Sequence, residues 1–129
     1  MAQFATRVVE PRIRSKLNAT GSTILKGIIV NQDTDADEVV VATGATDAYL
    51  GVAMADIPTG EWGDIQVGGV AAVRGGAAVT IGARVMADGD GEGIACTAGN
   101  SVLGIALTTG ADNALFEVDL DAQAARMPG

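Results

Sequence analysis

The sequence predicts an all-β protein, a small sandwich or barrel, and three observations predict it. Short β-rich runs recur at roughly ten-residue spacing between Gly-rich turns. Two long stretches echo one another. Helical composition is confined to residues 121–127, just before a terminal Pro-Gly.

The echo sets the organisation, because a repeat period decides how every other segment is read. Leu50-Gly51-Val52-Ala53, a turn around Gly60 and Ile65-Gln66-Val67 are matched by Leu103-Gly104-Ile105-Ala106, a turn around Gly110 and Phe116-Glu117-Val118. Upstream, Gly27-Ile28-Ile29-Val30 matches Gly82-Ala83-Arg84-Val85, and Thr43-Gly44-Ala45 matches Ala98-Gly99-Asn100. The offset is 55 residues at first and falls to 53 and then 51, as turns lose residues and strands do not. Internal duplication is therefore expected, with halves at about 24–73 and 79–120.

Taken in order, residues 1–21 have no repeat partner and are expected to form an extended N-terminal arm. Pro11 lacks an N–H and suits an edge strand or an arm, not a central strand. Asn18-Ala19-Thr20-Gly21-Ser22 is turn chemistry and is expected to hinge the arm to the body. The body, 22–120, opens with runs 24–30 and 38–42 around a loop at 31–37. Residues 49–55, the turn Pro58-Thr59-Gly60 and the run 62–67 follow, then Gly68-Gly69 and 70–74. Runs 79–87, 93–97, 102–108 and 115–120 complete it, leaving a tail at 121–129. Eighteen glycines suit the many turns and bulges of such a body.

Composition limits the core. Of 129 residues 48% are apolar, but Phe4, Tyr49, Trp62 and Phe116 are the only aromatics. Aromatic side chains dominate core energetics, so a thin aliphatic core is expected, with copies of itself or another surface adding stability. The net charge of −8 is unevenly spread. Arg7, Arg12, Arg14, Lys16 and Lys26, opposed only by Glu10, give the first 26 residues about +4 and leave about −12 on the rest. Opposite signs suggest an arm engaging an acidic surface; anti-aggregation charges on an edge strand are the alternative. Nucleic acid is disfavoured, because the body repels phosphate and no aromatic interleaves the basic residues.

Cys96 is the single cysteine, so no intramolecular disulfide is expected, and its strand setting suits a small buried hydrophobe. No apolar run reaches signal-peptide length or the roughly 18 residues needed to cross a bilayer, so a soluble protein of a reducing compartment is expected.

No constellation amounts to an active site. There is no histidine, which removes the usual general base and the Ser-His and Cys-His pairs. Asp33, Asp35, Asp37 and Glu38, and separately Asp88, Asp90 and Glu92, occupy the same loop of the two repeats. Asp88-Gly89-Asp90-Gly91-Glu92 shares part of a calcium-loop pattern but lacks the twelve-residue ligand span of an EF-hand. Acidic hairpin tips are the expected reading, weak calcium binding the alternative; no metal site and no cofactor is assigned. Gly68-Gly69 and Gly75-Gly76 lack the following helix and Lys of a phosphate loop and read as turns or bulges. Trp62 reads equally as a stacking or interface anchor and as a cap on the thin core. Tyr49 reads as packing.

Leu50-Gly51-Val52-Ala53, Thr59-Gly60-Glu61, Ile65-Gln66-Val67-Gly68-Gly69-Val70-Ala71-Ala72-Val73, the segment Gly76 to Val85 and Val102-Leu103-Gly104-Ile105-Ala106, in this order, resemble the capsid decoration (cement) proteins of tailed bacteriophages. The resemblance spans about residues 22–120. It implies a β-barrel or β-tulip body, commonly a homotrimer, on the outer surface of an icosahedral head assembled in the host cytoplasm. It also implies the major capsid protein as partner, neighbouring subunits bridged, no enzymatic activity, and no contact with membrane or nucleic acid. The arm, with Arg7, Val8, Val9, Arg12, Ile13, Arg14 and Lys16, is the expected capsid contact, since an extended basic segment can add a strand to a sheet edge. The alternative is a β-rich module for glycan or host surfaces, from a head fibre or baseplate, with Trp62 as stacking residue.

Overall fold

A computed structural model describes residues 12–44, 47–97 and 99–121. Ten strands follow one another: β1 Arg12–Asn18, β2 Ile29–Gln32, β3 Glu38–Val41, β4 Tyr49–Ala53, β5 Trp62–Gly68, β6 Val70–Arg74, β7 Arg84–Ala87, β8 Gly93–Ala95, β9 Gly104–Ala106 and β10 Leu115–Asp119. The first five close a barrel in the order β1-β3-β2-β4-β5; the last five form a sheet in the order β6-β10-β9-β7-β8. All-β architecture is thus as the sequence predicts. Gly69, with φ near 81°, turns the chain from barrel to sheet, a conformation that disfavours a side chain.

The two orders coincide when five is added to each strand of the first. The barrel closes by a parallel pairing of Leu17 with Glu38 and Asn18 with Val39, and the sheet carries a parallel bridge between Gly75 and Gly93. Bridges outside the strands also correspond, Ile24 with Ile57 and Val79 with Gly110. At the last strand of each half, Met54 N–H donates to Asp64 C=O and Leu107 N–H to Glu117 C=O. Both members of that pair are 53 residues apart. The sequence match sets Ile65 against Phe116, at 51, whereas the strand pairing puts Ile65 opposite Ala53 and Val118 opposite Ala106, a difference of two residues. A two-residue slip keeps every side chain on its own face, so apolar alternation alone does not detect it.

Period-two alternation divides the core in two. Ile24, Ile28, Val30, Val39, Ala53, Ile57 and Ile65 fill the barrel. Ile29, Ala42 and Val52 point out of it, into a second cluster with Val73, Val79, Val85, Leu103, Phe116, Val118 and Leu120 of the sheet. Phe116 is the one aromatic buried among the described residues. Tyr49 packs beside that cluster as expected, its hydroxyl accepting from Ala87 N–H and donating to the Gly44 carbonyl.

The first strand departs from the expected arm. Residues 12–18 belong to the barrel, and Asn18-Ala19-Thr20-Gly21-Ser22 is a clamp, not a hinge. The Asn18 side chain is fully buried; its Nδ2 donates to the Ser22 and Ile57 carbonyls while its Oδ1 accepts from the N–H and hydroxyl of Thr20. Residues 1–11, including Phe4 and Pro11, and the tail from 122 lie outside the described residues.

Candidate functional site

The candidate contact residues that the structure describes, Arg12, Ile13, Arg14 and Lys16, all lie on β1; Arg7, Val8 and Val9 lie outside the described residues. On one side β1 pairs antiparallel with β5 from Leu17 opposite Trp62 to Arg12 opposite Gly68, with a bulge between Arg12 and Ile13. On the other side only Leu17 and Asn18 meet β3. Among the described residues no strand covers Arg12–Lys16 on that second edge.

Hydrogen-bond direction alternates along a strand, so one known bond orients the rest. Leu17 N–H donates to Asp37 C=O on the β3 side, and Asn18 N–H donates to Glu61 C=O on the β5 side. Ile13 and Ser15 therefore aim their N–H groups at the uncovered edge, while Arg14 and Lys16 aim theirs at β5.

The basic side chains are not equivalent. Arg12 lies over Gly68, where a Cβ would fall 2.4 Å from the guanidinium, and its Nη2 is 2.7 Å from Asp121 Oδ1 in an exposed ion pair. Lys16 turns to the acidic loop: Nζ donates to Gln32 Oε1 at 2.9 Å and to the Ala36 carbonyl at 2.6 Å. Gln32 Nε2 in turn lies within hydrogen-bond reach of the Asp33, Asp35, Ala36 and Glu38 carbonyls, so the loop is wound around one amide. Partial desolvation first, then Asp35, Asp33 and Asp37, pushes the Glu38 carboxyl up from its ordinary value. Among the described residues no group of three or more metal-ligating side chains converges. Arg14 shares a face with buried Ile65 but is exposed, since β3 stops short of it, and it makes no ion pair among the described residues.

Apolar surface completes the site. Trp62 is 55% exposed and stands opposite half-buried Leu17; Ile13, two pairs along on the same face, is 45% exposed. Trp62 does not cap the core. Among the described residues the arrangement offers a short strand edge with two uncovered donors, one cation without an ion pair, and the exposed apolar side chains of Trp62 and Ile13 separated by the Ser15–Asp64 pair. Nothing in it holds a nucleophile and base in reach of each other.

Cys96 lies just past β8, half-buried, with Sγ near the Thr97, Asn100 and Ser101 carbonyls. Burial pushes its thiol up, opposed by Arg84. With Gly82, Ala83, Arg84, Thr97, Gly99 and Asn100 it lines an open recess of about 490 Å³. Sequence reasoning missed this recess, and the roles of Asn18 and Gln32. Asn18 signals a turn in the sequence, but its burial depends on the Ile57 carbonyl 39 residues away.

A family model described as phage cement protein matches residues 16–120. The chain belongs to the phage cement protein family. Cement proteins are structural, not enzymatic, and bind the capsid, so this one belongs on the capsid surface of a virion. Its fold is similar to that in the crystal structure of the head fiber gp8.5 N base in bacteriophage phi29, with a TM-score of 0.66 at 15% identity, covering 86% of this chain and 94% of that one. No curated protein matches the cement protein in sequence.

Proposed function

We propose that the cement protein acts as a homotrimer on the outer face of an icosahedral phage head, bridging neighbouring major capsid subunits and bracing the shell. Attachment runs through β1 and the residues before it. The observation that carries this is the β1 edge that no described strand covers, where Ile13 and Ser15 present N–H groups beside Arg14, which makes no ion pair among the described residues. An extended capsid segment added there gains main-chain bonds, and repetition over a shell multiplies weak contacts. We also infer that the two halves are one β unit used twice, which accounts for their matching strand orders and bridges.

The test is a proline pair. Ser15→Pro removes a donor from the uncovered edge and leaves the β5 ladder intact; binding to purified heads should fall at least tenfold while the fold is kept. Arg14→Pro removes a ladder donor and should destabilise the barrel itself. Full occupancy of heads by folded Ser15→Pro protein would overturn the edge assignment. Removing residues 1–11 separates the contribution of the preceding segment without cutting the barrel. For the glycan- or host-binding alternative, the exposure of Trp62 is the favouring observation, and sugar binding lost in Trp62→Ala would support it.

A further inference from the structure

Equivalent surfaces of the two halves meet different surroundings. Gly27 N–H donates to Ala53 C=O as Gly82 N–H does to Ala106 C=O; Ala42 N–H donates to Ile29 C=O as Cys96 N–H does to Arg84 C=O. Thus Gly27, Ile28, Ile29 and Ala42 correspond to Gly82, Ala83, Arg84 and Cys96. The first set is buried: Ile28 faces the barrel, while Ile29 and Ala42 pack into the cluster shared with the second half of the chain. Gly91 seats there: its carbonyl accepts from Ile29 N–H at 2.8 Å, and a Cβ on it would lie 2.7 Å from Val41 Cγ1 and 2.9 Å from Ile28 Cγ2. Beside it the Gly27 carbonyl accepts from Arg74 N–H at 2.8 Å, and Gly27 packs on Leu115.

The second set has no such cover. It lines the open recess of about 490 Å³, with Ile81 60% exposed next to it and nothing within 4 Å of a Cβ on Gly82. The surfaces that fill the first recess also have counterparts. Asp33 N–H donates to Glu38 C=O as Asp88 N–H does to Glu92 C=O, so Gly91 corresponds to Asp37 at the exposed loop 33–37. Arg74 opposite Leu115 corresponds to Leu17 opposite Trp62. Each chain therefore satisfies this contact once internally and leaves a recess on one half and its filler on the other. Charge fits the pairing: the recess has Arg84 where the internal one has Ile29, and the loop carries Asp33, Asp35, Asp37 and Glu38. One detail differs. Leu17 N–H and Asp37 C=O, the counterparts of Arg74 N–H and Gly91 C=O, are bonded to each other, so the contact between copies falls to side chains, those of the acidic loop against Arg84 and Trp62 against Ile81.

We propose that the recess of Gly82, Ala83, Arg84 and Cys96 receives the acidic loop 33–37 of a second copy of this chain, joining copies head to tail. Such heterologous contacts close into a ring when the rotation permits, and three copies would place six halves in it. The proposal rests on the self-association proposed above and assigns its surface. The test treats full-length Ala36→Cys protein, in which Cys96 is retained, with a short bis-maleimide. A covalent ladder ending at the trimer on denaturing gels is expected, and adding Cys96→Ser should abolish it. Arg84→Glu should weaken self-association by about tenfold or more, with Asp37→Lys in the same chain restoring it. An oligomer by sedimentation that gives no ladder, or a ladder that survives Cys96→Ser, overturns the assigned surface and leaves self-association standing. A monomer at micromolar concentration overturns both.

Discussion

Replacing Asn18 by Ala tests whether β1 is a barrel strand or the end of a hinged arm. The side chain is fully buried and makes four hydrogen bonds of 2.7–2.9 Å. At a net ~1 kcal/mol each, their loss sets a ceiling of about 4 kcal/mol. Part is recovered, because the Ile57 carbonyl keeps the Ile24 N–H at 3.0 Å and the Ser22 carbonyl keeps the Thr20 hydroxyl. Thr20 is exposed, so water reaches its freed N–H. A net loss of roughly 2–3 kcal/mol remains, and in a domain of this size it should lower Tm by about 10 °C. Urea and thermal unfolding followed by circular dichroism measure it directly. A hinge residue between independent parts would cost almost nothing, so a loss below about 0.5 kcal/mol, the usual range for surface substitutions, would refute the clamp and return residues 12–18 to the arm.

Other outcomes follow from the same geometry. Tyr49→Phe removes the hydroxyl that joins Ala87 N–H to the Gly44 carbonyl and should cost about 1–2 kcal/mol in denaturant unfolding. Gly91→Ala drives a Cβ against Val41, Ile28 and the Ile29 carbonyl at a positive φ and should cost well over the ~1 kcal/mol expected of Gly82→Ala, which carries a positive φ but no obstruction. Equal losses in the two would refute the internal seating of Gly91. Asp47 accepts from Asn31 Nδ2 and from the Thr43 and Gly44 N–H groups, and these bonds hold its carboxyl below the ordinary value of 3.8. A depressed pKa stabilises the fold above the unfolded value, and that contribution is lost as pH falls through the folded one. The advantage of the native protein over Asp47→Asn in thermal unfolding should therefore be complete at neutral pH and vanish with acidification below about 3.8.

What the sequence made legible was what depends on local pattern. Turn glycines and apolar runs located the strands, and the repeated Leu-Gly-X-Ala segments located β4 and β9, where Gly51 and Gly104 correspond. Their glycines leave room for a backbone carbonyl, that of Gln66 or Asp119, which a Cβ would strike at 2.1–2.3 Å. What escaped was long-range. The Arg12–Lys16 run has the charge of a solvated arm, and only its pairing with residues 62–68 makes it a barrel strand. Lys16 has the sequence signature of a binding residue, yet Gln32 and Ala36 occupy its ammonium. Among the described candidates, Arg12 and Lys16 have polar partners within the chain, and Ile13, Arg14 and Trp62 are the ones left exposed without them.

The same pairing bears on whether one strand could serve both the proposed attachment and the barrel. At the positions of β6 that correspond to Arg14 and Lys16, Ala71 and Val73 are buried in the larger core cluster, and Phe116 stands where the barrel has Gly63. The barrel thus has polar side chains and a glycine where the sheet has a packed apolar layer. Separating Arg12–Lys16 from β5 exposes little apolar surface, whereas separating β6 from β10 opens the main core. Local opening is easiest where few apolar contacts are lost. The sequence keeps its strongest burial in the sheet and at the junction of the halves, and leaves at β1 a strand held by ladder bonds and the Asn18 clamp. A strand held in that way can take a further strand on its outer edge at small cost to the core behind it.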